Sequence, residues 1–207
     1  MVPLSRNLAA ALAAALVLVS LIAGCAGVDA DTADPTAADG DEPASSESSV
    51  PGFSLVSDAF AEGGTIPVDH CFDTVIAVRN VSPPLAWSGA PSDTRSFVVT
   101  LIDQHPVASE WVHWVVVGLP PDIVALAPGA SGAMPAGSRE LDNSFGSAGY
   151  GGPAPPAGTG AHDYRFTVYA LDADAVDLPS QPSAGEIAEA LSGHILAEAS
   201  LTGTFSQ

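Results

Sequence analysis

Three runs constrain this chain most: Phe97-Val98-Val99-Thr100-Leu101-Ile102, Trp111 to Leu119, and Tyr164 to Leu171. Each follows the two-residue period of a β-strand. Several are apolar on both faces, as in Val115-Val116-Val117. A strand of that kind must be covered on each side, so the runs predict central strands of a two-layer β architecture. Proline and glycine punctuate them at Ser82-Pro83-Pro84, Ser88-Gly89-Ala90-Pro91, Leu119-Pro120-Pro121-Asp122 and the long loop over 149–160. Near the end, Ser183-Ala184-Gly185-Glu186 has capping-box spacing, followed by Ile187, Ala188 and Leu191 on one face and Gly193 as a stop. This predicts one helix, expected to cover a sheet edge. Ile195 to Thr204 reads as a last strand, and no internal repeat is visible.

The first fifty residues are of another kind. Leu8 to Ala23 is apolar except for Ser20, follows Arg6 and stops at Gly24-Cys25. It is short for a membrane span and reads as the core of a signal peptide. Ile22-Ala23-Gly24-Cys25 resembles a bacterial lipoprotein cleavage box, which would make Cys25 the lipidated first residue of the mature chain; an ordinary secretory cut nearby is the alternative. From Ala26 to Ser49 there are seven acids, no basic residue and no aromatic, the composition of a disordered tether. The expected division is a lipoprotein signal peptide over 1–24, a lipidated cysteine and acidic tether over 25–50, and a folded domain over 51–207. The expected location is outside the cytoplasm, lipid-anchored to the bacterial cell membrane.

Charge narrows the partners. The 207 residues include no lysine and only five arginines against 24 acids, a net charge of −19. Nucleic acid is therefore excluded as a partner. Missing lysine also removes a P-loop, a Schiff-base nucleophile and a Ser-Lys dyad. No His-Glu-x-x-His, Gly-x-Ser-x-Gly or Cys-x-x-Cys occurs, and no cofactor is expected. With Cys25 assigned to lipid, Cys71 is left without a partner and reads as a small buried hydrophobe.

Two places carry candidate chemistry. Asp103 shares a strand face with Phe97, Val99 and Leu101 and ends that strand. His113 is expected on the same face as Trp111, Val115 and Val117, where a histidine needs a hydrogen-bond partner or loses its charge; Asp103 is the obvious one. Gly149 to Tyr164 joins a stiff Gly/Pro loop to His162 and Tyr164, two apart and so on one face. Taken singly, the histidines read as core residues and the tyrosine as packing.

Taken together they resemble a known family. Asn80-Val81-Ser82-Pro83-Pro84-Leu85-Ala86-Trp87, Thr100-Leu101-Ile102-Asp103, Trp111-Val112-His113-Trp114-Val115-Val116-Val117 and the Gly149–Tyr164 loop come in the order seen in phosphatidylethanolamine-binding proteins, closest to their bacterial Raf-kinase-inhibitor-like branch. The resemblance runs from about Phe53 to Phe205. It implies a two-layer antiparallel β-sandwich with one or two short helices near the C-terminus. It also implies that Asp103, His113, Pro153, Pro155, His162 and Tyr164 line a small pocket for phosphate or phosphorylated head groups. Trp111, Tyr150 and His105 are then expected at the rim, with the Ser82-Pro83-Pro84 turn behind the wall. This chain departs from the family pattern in Asp103-Gln104-His105-Pro106, where a histidine replaces the second aspartate and one residue is missing. Asp163 stands for the usual arginine and Ala154 for the usual cysteine.

The leading expectation is a non-enzymatic, membrane-anchored binding module for a small anionic ligand or phospholipid head group, with a regulatory role and a homodimer left open. Anion affinity is expected to rise as pH falls through the histidine range. One alternative is a hydrolase of phosphate esters, in which Asp103, His105, His113 and His162 form a metal site or an acid/base set. The other is a protein-interaction or inhibitor module with a vestigial pocket.

Overall fold

The computed structural model describes residues 52–72 and 79–207. The expected signal peptide (1–24), Cys25 and the whole acidic tether (25–50) fall in 1–51, outside the described residues. Those described contain β1 (Ser54–Val56), β2 (Gly64–Thr65), β3 (Leu85–Ser88), β4 (Ser96–Asp103), β5 (Val112–Leu119), β6 (Ala125–Leu126), β7 (Arg139–Glu140), β8 (His162–Leu171), α1 (Ala184–Leu191) and β9 (Ile195–Phe205). None of their helices is long and apolar enough to cross a membrane.

The long strands are those the two-residue period marks, and they pair with one another. One sheet has the order β2-β9-β8-β4-β5-β7 and the other β1-β3-β6. Pairing is antiparallel except at one edge, where β2 runs parallel to β9. Between the sheets, Phe97, Val99 and Leu101 of β4, Trp114 and Val116 of β5, and Tyr164, Phe166 and Val168 of β8 form one buried cluster with Leu55, Leu85, Trp87 and Leu126 from the smaller sheet. Aromatic edges interlock there, with Trp87 against Phe97 at 5.5 Å and Phe60 against Phe166 at 5.6 Å.

The alternate residues form a second cluster on the other face of the large sheet. Val98, Val115, Val117 and Leu171 group there with Ile187 and Leu191 of α1. The helix thus covers a sheet face rather than the edge expected of it, which explains why these strands are apolar on both sides. Its start is as expected: Ser183 Oγ accepts from Glu186 N at 3.3 Å and Glu186 Oε2 accepts from Ser183 N at 2.8 Å. Donation to its carboxylate from Ser183 N and Ser183 Oγ holds the Glu186 carboxyl below its ordinary range.

One irregularity decides the site. Leu101 pairs with Trp114 but Ile102 pairs with Val112, so His113 is the extra residue of a β-bulge. A bulge reverses which face the residues beyond it present. Val115 and Val117 therefore join the helix layer, while the His113 ring meets Tyr164 and Phe145 at the end of the inter-sheet core. Strict alternation placed His113 with Val115 and Val117, and the bulge overturns that expectation.

Candidate functional site

Three loops meet beyond the bulge. The β4–β5 loop contains a 3-10 turn over Pro106–Ala108, after which Ser109 and Glu110 both take left-handed backbone, with φ of 49° and 57°. For residues with a Cβ that conformation is strained. The second loop carries Phe145, and the third runs from Gly149 to Ala161. They enclose a cavity of about 450 Å³ lined by Asp103, Val107, Ala108, Ser109, Trp111, His113, Phe145, Ala154 and Pro156.

The third loop is held along its backbone. Asn80 donates to the Tyr150 carbonyl and accepts from Gly152 N, at 3.0 and 2.8 Å, while Asn143 donates to the Gly149 carbonyl at 2.9 Å. Gly151 N donates to the His113 carbonyl at 2.9 Å, and Phe72 N donates to the Pro153 carbonyl at 2.9 Å. Two glycines are required by close approach. A Cβ on Gly152 would overlap the His70 carbonyl, and one on Gly151 would sit 2.7 Å from the Phe145 ring.

His113 is buried, with Nδ1 2.6 Å from the Gly151 carbonyl. A carbonyl only accepts, so the proton is on Nδ1 and Nε2 carries a lone pair in the neutral ring. Burial holds the His113 pKa below the ordinary histidine value, against the opposing pull of the Gly151 bond and the Asp103 charge.

Asp103 is buried and pairs not with His113 but with His162. Its Oδ2 lies 2.7 Å from His162 Nδ1, and its Oδ1 accepts from His105 N at 2.9 Å. The expected Asp103–His113 bond is thereby corrected: the β4–β8 register sets Asp103 opposite Tyr164, within reach of His162. His162 Nε2 is 2.8 Å from Thr159 Oγ1, and the His105 ring stacks on His162 at 3.9 Å. His105 in turn accepts from Val107 N through Nδ1 at 3.3 Å, capping the 3-10 turn.

Of the six expected ligand residues, Asp103 and His113 line the cavity. His162 and Tyr164 are fully buried and stand behind Asp103. The Tyr164 hydroxyl has no hydrogen bond of good geometry, and burial, followed by the neighbouring Asp103 charge, raises its pKa far above the tyrosine range. Pro153 and Pro155 are buried, so the loop contributes Ala154 and Pro156 to the lining instead. Trp111 lines the cavity and is 39% exposed. Tyr150 does not line it: its ring packs against Trp114 in the core and its hydroxyl donates to the His70 carbonyl at 2.6 Å. The Ser82 turn lies further back, where Ser82 Oγ accepts from Ser131 N and Ser131 Oγ accepts from Tyr150 N, at 3.2 and 2.9 Å.

Val107, Ala108, Ser109 and Phe145 escaped the sequence reading. The one signal for Phe145 was an aromatic in a turn closed by Gly146. Asp103, His105, His113 and His162 do not converge as a metal-binding set, and among the described residues no group of three or more His, Cys, Asp or Glu side chains does. Cys71 is buried away from the lining; its Sγ contacts the Pro67 carbonyl and burial raises its thiol to about 12. A thiol held there stays protonated at neutral pH.

The chain matches the family model described as phosphatidylethanolamine-binding protein over residues 56–206. It is 42% identical to UPF0098 protein YbhB of Escherichia coli, over 73% of this chain and 99% of that one. A Mycobacterium tuberculosis protein named as a lipoprotein, LppC, is 36% identical and matches over 93% of both chains. The crystal structure of E. coli YbcL, titled a new member of the mammalian PEBP family, superposes with a TM-score of 0.68 at 33% identity, over 75% of this chain and 98% of that one. With the sandwich, the bulged His113 and the Gly/Pro loop now placed, the chain belongs to the phosphatidylethanolamine-binding protein family.

Proposed function

We propose that this protein is an exported, lipid-anchored binding protein whose cavity takes the phosphorylated head of an amphiphile and leaves its apolar part against the rim. The observation that carries the reading is the joining of two surfaces in one cavity. Asp103 and His113 stand at its polar end, and Val107, Trp111 and Phe145 stand at its mouth, 59%, 39% and 39% exposed. Exposed side chains of that size, gathered at one opening, suit an apolar chain leaving a polar pocket. The pocket serves binding rather than turnover, and it needs no cofactor.

No arginine or lysine lines the cavity, so an anion is held there by hydrogen bonds and by His113 once it is protonated. Because burial depresses the His113 pKa, anion affinity rises at pH values below the ordinary histidine range. Tethering is supported by LppC, named as a lipoprotein, whose match over 93% of this chain extends well past the described residues into the first fifty.

Calorimetric titration of the full chain with phosphate and phosphoethanolamine, together with co-sedimentation on phosphatidylethanolamine vesicles, tests the pocket. Saturable binding that weakens in His113→Ala is expected; no binding by any of the three probes would overturn the reading. Membrane fractionation of Cys25→Ser tests the anchor, since the unlipidated variant should leave the membrane fraction.

A further inference from the structure

An anion pocket with a carboxylate in its lining and no arginine poses an electrostatic problem, and the hydrogen-bond inventory around Asp103 resolves it. A threonine hydroxyl has one hydrogen. Thr159 Oγ1 is 2.7 Å from the Pro156 carbonyl, which can only accept, so the hydrogen lies in that contact. The remaining contact of Oγ1, at 2.8 Å to His162 Nε2, then requires the donor to be the ring. On the ring's other side, Asp103 Oδ1 accepts a backbone N–H and Oδ2 faces Nδ1 at 2.7 Å, so Nδ1 donates as well.

We infer that Thr159 is a positioning residue that keeps a proton on both nitrogens of His162, so that the Asp103–His162 pair presents no net charge to the cavity. This rests on the proposal that the ligand is anionic. His162 touches no ligand; it acts through Asp103. The His105 ring over one face of His162 and the complete burial of His162 keep the ring from water, where charge-assisted hydrogen bonds of this kind are strongest. The order Thr159, His162, Asp103 resembles a nucleophile–base–carboxylate relay in spacing only. With its hydrogen directed to Pro156 and the ring already protonated, Thr159 has no base to activate it.

The test uses the full chain with ¹⁵N-histidine labelling at neutral pH, as wild type, Thr159→Val and Thr159→Ser, each also titrated with phosphate. The expected wild-type spectrum has protons on both His162 nitrogens. Thr159→Val should lose the Nε2 proton and about tenfold in phosphate affinity, the order of one hydrogen bond to a charged group. Thr159→Ser should restore both. A bare Nε2 in the wild type would overturn the inference whether or not phosphate binds. Lower affinity in Thr159→Val with both protons retained would also overturn it, reducing Thr159 to a loop brace. Both protons present with no phosphate bound would uphold the network and reject the anionic ligand instead.

Discussion

Asp103 of β4 and His162 of β8 are joined by a 2.7 Å bond between Oδ2 and Nδ1, and both side chains are buried. Neighbouring strands hold them in register through the antiparallel β4–β8 ladder. Losing one partner strands the other in a low-dielectric site, so Asp103→Ala and His162→Ala should each cost roughly 3–5 kcal/mol of stability. The double variant should cost clearly less than their sum. Urea unfolding of the four proteins in the cycle reads both numbers, and additive losses would show that the pair is not coupled.

His113 gives stability a pH dependence with a definite sign. Its pKa is lower folded than unfolded, so between the two values the unfolded chain binds more protons and stability rises with pH. The contribution is fully present above about 6.5, the unfolded value, and is lost as pH falls toward the folded one. Replacing His113 by Gln should flatten that loss in melting curves taken across the mildly acidic range. The same acidic range should strengthen phosphate binding in the wild type but not in the variant.

Glu140 of the edge strand β7 holds the buried Trp114 indole to the neighbouring loop. It accepts from Trp114 Nε1 through Oε1 and from Gly132 N through Oε2, each at 2.7 Å. Trp114 is fully buried, so Glu140→Leu should leave an unsatisfied indole N–H and cost about 1–3 kcal/mol. Chemical denaturation measures this directly, and an unchanged midpoint would mean that the indole finds another acceptor.

Gly152 should tolerate no side chain. A methyl group there meets the His70 carbonyl, the same oxygen that accepts from the Tyr150 hydroxyl. Gly152→Ala should lower the melting temperature and weaken head-group binding together, because the Gly/Pro loop can relieve the overlap only by leaving His113.

Trp111 separates stability from binding. Being 39% exposed and packed edge-on against Phe145, it contributes modestly to the fold, and Trp111→Ser should cost about 1–2 kcal/mol of stability and leave the protein folded. Vesicle binding should fall much more than binding of soluble phosphoethanolamine, since only the former uses the apolar rim. Equal losses for both probes would place Trp111 on the head group itself.

The sequence by itself determined the long strands, the helix and the family. Period-two runs of β-branched and aromatic residues have one comfortable backbone, Ser183 and Glu186 satisfy each other's donors within three residues, and the Gly/Pro loop excludes regular structure locally. All of this is chemistry between near neighbours. The tertiary structure decided what the site residues do, because that depends on register and on chains far apart in sequence. A single bulged residue turned His113 away from Val115 and Val117 and toward the cavity. The partner of Asp103 came from another strand 59 residues away. Tyr150 became core and Phe145 became lining because loops converge in space, and alternation along one strand carries no information about which loops meet.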